Sequence, residues 1–132
     1  MSKTIRSGTV LYAVDIERVA AFYAGVLDMT VSHADDAYIV LTARSVELVI
    51  QRVPADIAAT ITIETPPRPR ANTAIKPVFF VTDLVTARTV AACLGGALPP
   101  ADKEWRFGDF IVCDGVDPEG NVIQFRASAP IA

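Results

Sequence analysis

The sequence is poor in the residue types that most reactions rely on. It has a single histidine, His33, and only two cysteines, Cys93 and Cys113, in 132 residues. One isolated histidine gives no footing for a Ser-His-Asp or Cys-His arrangement. The two cysteines are not at metal-ligand spacing, so both are expected as buried thiols in a reducing compartment. There is no Gly-rich phosphate loop. No apolar run approaches the ~20 residues that span a bilayer, and Met1-Ser2-Lys3-Thr4-Ile5-Arg6 lacks the apolar core of a signal peptide. A cytoplasmic protein without membrane contact is the expectation. The net charge is −3 and the arginines are scattered, which argues against nucleic acid as a partner, since that needs a basic stripe.

With 52% hydrophobic and 20% charged residues, the chain falls among globular rather than disordered proteins. Its length suits one compact domain that buries roughly two-thirds of the unfolded surface. It also reads as a duplication. Asp15-Ile16-Glu17-Arg18-Val19-Ala20 opens one helix-like stretch, and Asp83-Leu84-Val85-Thr86-Ala87-Arg88 opens another 68 residues later. Each follows a short apolar run and precedes further strand-like runs.

In the first half, a strand is expected over 8–14. Asp15 is a good N-cap for a helix whose apolar face is Ile16, Val19, Ala20, Tyr23, Val26 and Leu27. Strands at about 29–34, 37–43 and 46–53 follow, turned by Asp35-Asp36 and Arg44-Ser45. Residues 54–75 form a connector broken by Pro54, Pro66, Pro67 and Pro69, wet at Arg68 and Arg70, with a strand possible at Thr60–Glu64.

The second half repeats the plan. A strand through 76–82 leads to a helix capped by Asp83, with Leu84, Ala87, Val90, Ala91 and Leu94 on one face and Gly95-Gly96 ending it. Strands are expected near 97–99, over 105–113 and over 121–127. The turn before the last strand, Asp117-Pro118-Glu119-Gly120, has the type I preference. The resulting boundaries are module 1 at about 7–53, a connector at about 54–75 and module 2 at about 76–128.

Two strand–helix–three-strand units, the Asp15, Arg18, Phe22, Tyr23 helix pattern, Glu47-Leu48, Phe80-Val81-Thr82-Asp83 and the run Asp117 through Phe125 together resemble the vicinal oxygen chelate superfamily of glyoxalases, bleomycin-resistance proteins and extradiol dioxygenases. The resemblance covers nearly the whole chain. It implies an α+β fold of two βαβββ modules that form a curved mixed sheet around a cleft, with helices on the outer face. It also implies a homodimer. The fold does not fix an activity. Strand alternation agrees with it. Leu48, Ile50, Phe79, Val81, Ile123 and Phe125 make a consistently apolar face. Tyr12, Glu47, Gln51, Lys76, Phe80, Gln124 and Arg126 make a mixed, largely polar one that would line the cleft.

Metal-using members of that superfamily take ligands from four positions, which fall here on Gly8, Glu47, Lys76 and Gln124. Of these only Glu47 is a strong ligand. Glycine has no side chain, an ammonium has no acceptor and an amide is weak. No catalytic metal and no other cofactor is expected. His33, beside an acidic turn, reads as an exposed or hydrogen-bonded histidine rather than a ligand.

The ligand-binding candidates are Tyr12, Glu47, Lys76, Phe80, Trp105, Gln124 and Arg126; no catalytic residue is assigned. Lys76 is expected to pair with Glu47, as an ion pair that only satisfies two polar groups or as part of a binding site. Phe107 and Phe110 are expected in the core, and Trp105 on the rim or within the site. Glu104, Asp109, Asp114, Asp117 and Glu119 make the last third acidic, which suits a solvated face or a cationic ligand. The leading expectation is a glyoxalase or bleomycin-resistance-like protein that binds a small apolar or aromatic molecule. The alternative is a lyase, isomerase or dioxygenase-like enzyme using an unusual metal site or acid–base work by Glu47 and Lys76. A third class is an interaction module with a vestigial cleft.

Overall fold

A computed structural model describes residues 4–130. Met1, Ser2 and Lys3, on which part of the signal-peptide argument rests, lie outside the described residues, as do Ile131 and Ala132. The chain divides into two compact units, the first running to Thr62 and the second starting at Ile63. Each carries its own four-stranded mixed sheet, so the fold is α+β and built from two βαβββ modules.

In the first unit, β1 (Ser7–Ala13) leads to α1 (Ile16–Leu27), then to β2 (Thr30–Ala34), β3 (Tyr38–Ala43) and β4 (Val46–Arg52). The Asp15 side chain accepts from the Arg18 amide at 3.1 Å, which starts the helix as expected. The helix buries Ile16, Val19, Ala20, Tyr23 and Val26 against β3 and β4, together with Phe22, which the sequence pattern had not placed on that face. It ends at Asp28, whose φ of 53 is one that Asp tolerates. β1 pairs with β4 in parallel, and β2, β3 and β4 run antiparallel, in the order β1-β4-β3-β2. Ile39, Leu41, Leu48 and Ile50 fill the core side of this sheet.

A short helix, α2 (Ala55–Ala58), follows Pro54. No strand forms at Thr60–Glu64. This stretch finds no ladder partner, and the amides of Thr60 and Ile61 instead turn back to the Ile57 and Ala58 carbonyls.

The second unit holds β5 (Val78–Phe80), α3 (Leu84–Cys93), β6 (Trp105–Phe107), β7 (Phe110–Val116) and β8 (Val122–Ser128), in the order β5-β8-β7-β6. Asp83 caps α3 by accepting from the Thr86 amide at 2.7 Å. Gly95, at φ 89, and the Gly96 amide on the Ala91 carbonyl close its C-terminus. Ile123, Phe125 and Cys113 are fully buried, and α3 packs on β8.

Three expectations need correction here. The strand read over 105–113 is two strands, β6 and β7, folded back at Gly108-Asp109, where Gly108 has φ 59. The strand near 97–99 is a single bridge from Ala97 to Val116. Cys93 is exposed. The buried residues of α3 are Leu84, Ala87 and Ala91. A residue two places past Ala91 points about 200° around the helix.

The latter part of the connector packs on the Asp117–Gly120 turn. Arg70 donates from its backbone to the Gly120 carbonyl at 2.9 Å and from Nε to the Glu119 carbonyl at 3.1 Å. The turn is closed by the Gly120 amide on the Asp117 carbonyl at 3.0 Å. Asp117 Oδ1 also accepts from the amides of Glu119 and Asn121.

Candidate functional site

Cross-strand register decides which side chains share a face. In the second unit Trp105 stands opposite Val112, Val112 opposite Arg126, and Arg126 opposite Phe80. This row runs across all four strands. In β7 and β8 the next row toward the Lys76 end holds Asp114 and Gln124, with Val78 beside Gln124 on β5. Toward the other end, Phe107 faces Phe110. Lys76, Phe80, Trp105, Gln124 and Arg126 therefore sit together on one face of one sheet, with Asp114, Phe107 and Phe110 beside them.

A hydrogen-bonded chain runs along this face. Lys76 Nζ donates to Asp114 Oδ2 at 2.6 Å, Gln124 Nε2 to Asp114 Oδ1 at 3.4 Å, and Arg126 Nε to Gln124 Oε1 at 2.8 Å. The guanidinium then lies over aromatic rings, 4.6 Å from the Phe107 centroid and 6.0 Å from that of Phe80. Phe80 meets Phe110 edge-on with centroids 5.1 Å apart. These rings are open. Phe80 is 60% exposed, Phe107 56% and Trp105 41%. Phe107 and Phe110 thus lie on the open face and not in the core as expected. The core expectation rested on aromatics commonly filling a small core; the hairpin at Gly108-Asp109 instead sets the two rings opposite each other on one face.

Within its own unit Lys76 pairs with Asp114. Asp114, named from the sequence only as part of the acidic third, joins the candidate residues of this face through Lys76 and Gln124. The acidic third is largely engaged. Glu104 Oε2 takes Arg88 Nη2 at 2.5 Å, a contact that raises the arginine's pKa. Asp117 and Glu119 are buried in the turn rather than solvated. Burial pushes the Cys113 thiol pKa up, which makes it a poor nucleophile.

In the first unit, Tyr12 pairs across to Gln51 and Gly8 to Glu47, so Tyr12 and Glu47 share one face of that sheet. Tyr12 is 60% exposed, and beside it Val10 and Val49 make this face more apolar than expected. His33 is exposed, hydrogen-bonded to Asp35 at 2.7 Å and stacked on Tyr38 with ring centroids 4.7 Å apart. The contact with His33, helped by the Tyr38 and Ala37 amides, lowers the Asp35 pKa to about 2.

Of the positions that the superfamily resemblance assigns to metal ligands, three are poor donors. Gly8 brings no donor, Lys76 is an ammonium bound to Asp114, and the Gln124 oxygen is turned to Arg126. Among the described residues no group of three or more His, Cys, Asp and Glu could hold a metal ion. Nor is any described helix long and apolar enough to cross a membrane.

Comparison with known proteins points one way. A family model described as a glyoxalase-like domain matches residues 8–125. No curated protein matches the chain. Among solved structures, a glyoxalase/bleomycin resistance protein/dioxygenase family enzyme from Burkholderia phytofirmans PsJN is similar with TM-score 0.67 and 17% identity, covering 92% of this chain and 96% of that one. Fosfomycin resistance protein FosX from Mesorhizobium loti gives TM-score 0.64 at 11% identity, with 98% and 95% covered. A bleomycin resistance determinant encoded on transposon Tn5 gives 0.61 at 15% identity, with 95% and 98% covered. At such identities the likeness is one of fold.

Proposed function

The chain belongs to the glyoxalase-like domain family, and on that premise we propose that it binds a small apolar or aromatic organic molecule without a catalytic metal. The observation that carries this reading is the open face of the β5–β8 sheet, where Phe80, Trp105 and Phe107 lie exposed around Arg126. Exposed rings on a rigid sheet offer stacking area at low entropic cost. The ladder of Lys76, Asp114, Gln124 and Arg126 supplies polar anchors at fixed positions. Tyr12 and Glu47 are further proposed contacts from the first unit. The weakness of the metal donor set favours binding over metal-dependent turnover. The resistance proteins of similar fold make sequestration of an organic compound one form of this role. A homodimer is the proposed assembly, as the superfamily resemblance implies.

The test is elemental analysis by mass spectrometry after incubation with Ni²⁺, Zn²⁺, Mn²⁺ and Fe²⁺ and dialysis, followed by a small-molecule binding screen. The expected result is no retained metal together with saturable, stoichiometric binding of an aromatic compound. Retention of about one metal ion per chain, as a catalytic site requires, would overturn the metal-free reading and make the enzyme alternative the leading one.

A further inference from the structure

The charges around the aromatic face are unequal in how they are used. Lys76 is neutralised by Asp114 at 2.6 Å, and Arg88 by Glu104. Asp117 and Glu119 are buried in their turn, and Asp109 lies out in the β6–β7 hairpin. Arg126 differs from Lys76 and Arg88. Its one side-chain hydrogen bond among the described residues goes from Nε to a neutral amide, that of Gln124. A guanidinium has five N–H donors in a planar fork, so the two terminal nitrogens are left to bind something else. The guanidinium carbon lies over the Phe107 ring and beside Phe80, in the cross-strand row that also holds Trp105.

We propose that the occupant of this face is a planar aromatic anion, an aryl carboxylate in its simplest form. Its ring rests against Phe80 and Trp105, and its carboxylate takes the terminal nitrogens of Arg126. The inference rests on the small-molecule role proposed above and names the class of ligand. Two physical arguments support it. A carboxylate matches the guanidinium fork bidentately, and such charge-assisted pairs are the stronger hydrogen bonds. A cationic ligand, which the acidic composition of this region suggests, finds Asp114 and Glu104 already paired and Asp117 and Glu119 buried, and meets the Arg126 guanidinium instead. The order of the ladder also has a purpose in this view. Gln124 fixes the plane of Arg126 through Nε while adding no charge, so the cation stays available.

The experiment compares three ligands of one shape, 2-naphthoate, 2-naphthamide and 2-naphthylmethylamine, by isothermal titration calorimetry. The full chain and its Arg126→Gln variant are both titrated. The carboxylate should bind the native protein at least about tenfold more tightly than the amide, the scale of one charge-assisted hydrogen bond. The amine should bind more weakly than either. In Arg126→Gln the carboxylate should fall to within about twofold of the amide. Raising the salt concentration should weaken the carboxylate and spare the amide in the native protein, a readout that holds even if the variant does not fold. Equal binding of carboxylate and amide would overturn the anion inference while leaving the small-molecule role standing. Tightest binding by the amine would do the same. Failure of all three to bind would overturn both.

Discussion

Gly120 is the position where one methyl group should do the most damage for its size. Its φ is 85, and a Cβ built there would overlap the Arg68 carbonyl oxygen and lie 3.1 Å from the Arg68 carbonyl carbon. Those are backbone atoms, so no side-chain rotation relieves the clash. Gly120→Ala incurs the left-handed penalty, about 1–2 kcal/mol for a residue with a Cβ. It also pushes the connector off the turn, which removes the bonds from Arg70 to the Gly120 and Glu119 carbonyls, each worth about 1 kcal/mol. The expected loss is about 3–4 kcal/mol. Gly108→Ala is the internal control. Its φ of 59 is also left-handed, but nothing lies within 4 Å of the added Cβ, so only the conformational cost of about 1 kcal/mol should appear. Urea unfolding followed by circular dichroism, with slopes compared to confirm an unchanged denatured state, measures both. The difference isolates the close approach of the connector. If the two variants lie within about 0.5 kcal/mol of each other, the loss of two hydrogen bonds is missing from the comparison, and the docking of residues 68–70 on the turn is refuted.

Two further outcomes follow from the geometry. Thiol titration with an aromatic disulfide should modify Cys93 in the native protein and reach Cys113 only on unfolding, because the first is exposed and the second fully buried with a raised pKa; two equivalents reacting in native buffer at similar rates would contradict this. The Asp35 carboxyl should titrate near pH 2 in a carboxyl-carbon NMR experiment, and His33→Ala should move the midpoint upward. Since the folded-state value lies below the ordinary carboxylate value, the stability this group lends is complete above about pH 4 and is lost as the pH falls through its folded-state midpoint.

Much of the fold was legible because its signals are local. Asp15 and Asp83 mark helix starts through a bond made within three residues, and the Gly95-Gly96 pair marks a helix end the same way. The alternation of Leu48 and Ile50, or Ile123 and Phe125, predicts their burial without knowledge of any partner. What escaped depends on pairings between distant residues. Glu104-Trp105-Arg106-Phe107 and the run from Phe110 read as one strand because Gly108-Asp109 is a short hairpin turn whose second residue is not glycine. Once that turn is seen, Phe107 and Phe110 fall on the site face. Asp114 as the partner of Lys76 was hidden for the same reason, since the two lie 38 positions apart in sequence. The burial of Asp117 and Glu119 runs against composition, which reads a pair of carboxylates in a turn as solvated. There the carboxylate of Asp117 serves the turn's own amides. Of the seven candidate site residues, five share one face of the second sheet, and Tyr12 and Glu47 share a face of the first.

The parallel pairing of first strand to last in each unit bears on how the protein reaches its native state. The hairpins β3–β4 and β6–β7 join neighbours across two-residue turns and can form within microseconds. Ser7, by contrast, must find Val46, and Val78 must find Gln124, closures of roughly 40 residues or more that carry a larger entropic cost. Each half is therefore expected to zip its antiparallel strands early and to receive its opening strand last. Arrival after the barrier leaves the seams of β1 with β4 and of β5 with β8 unformed in the transition state, so substitutions there should speed unfolding and leave the folding rate nearly unchanged.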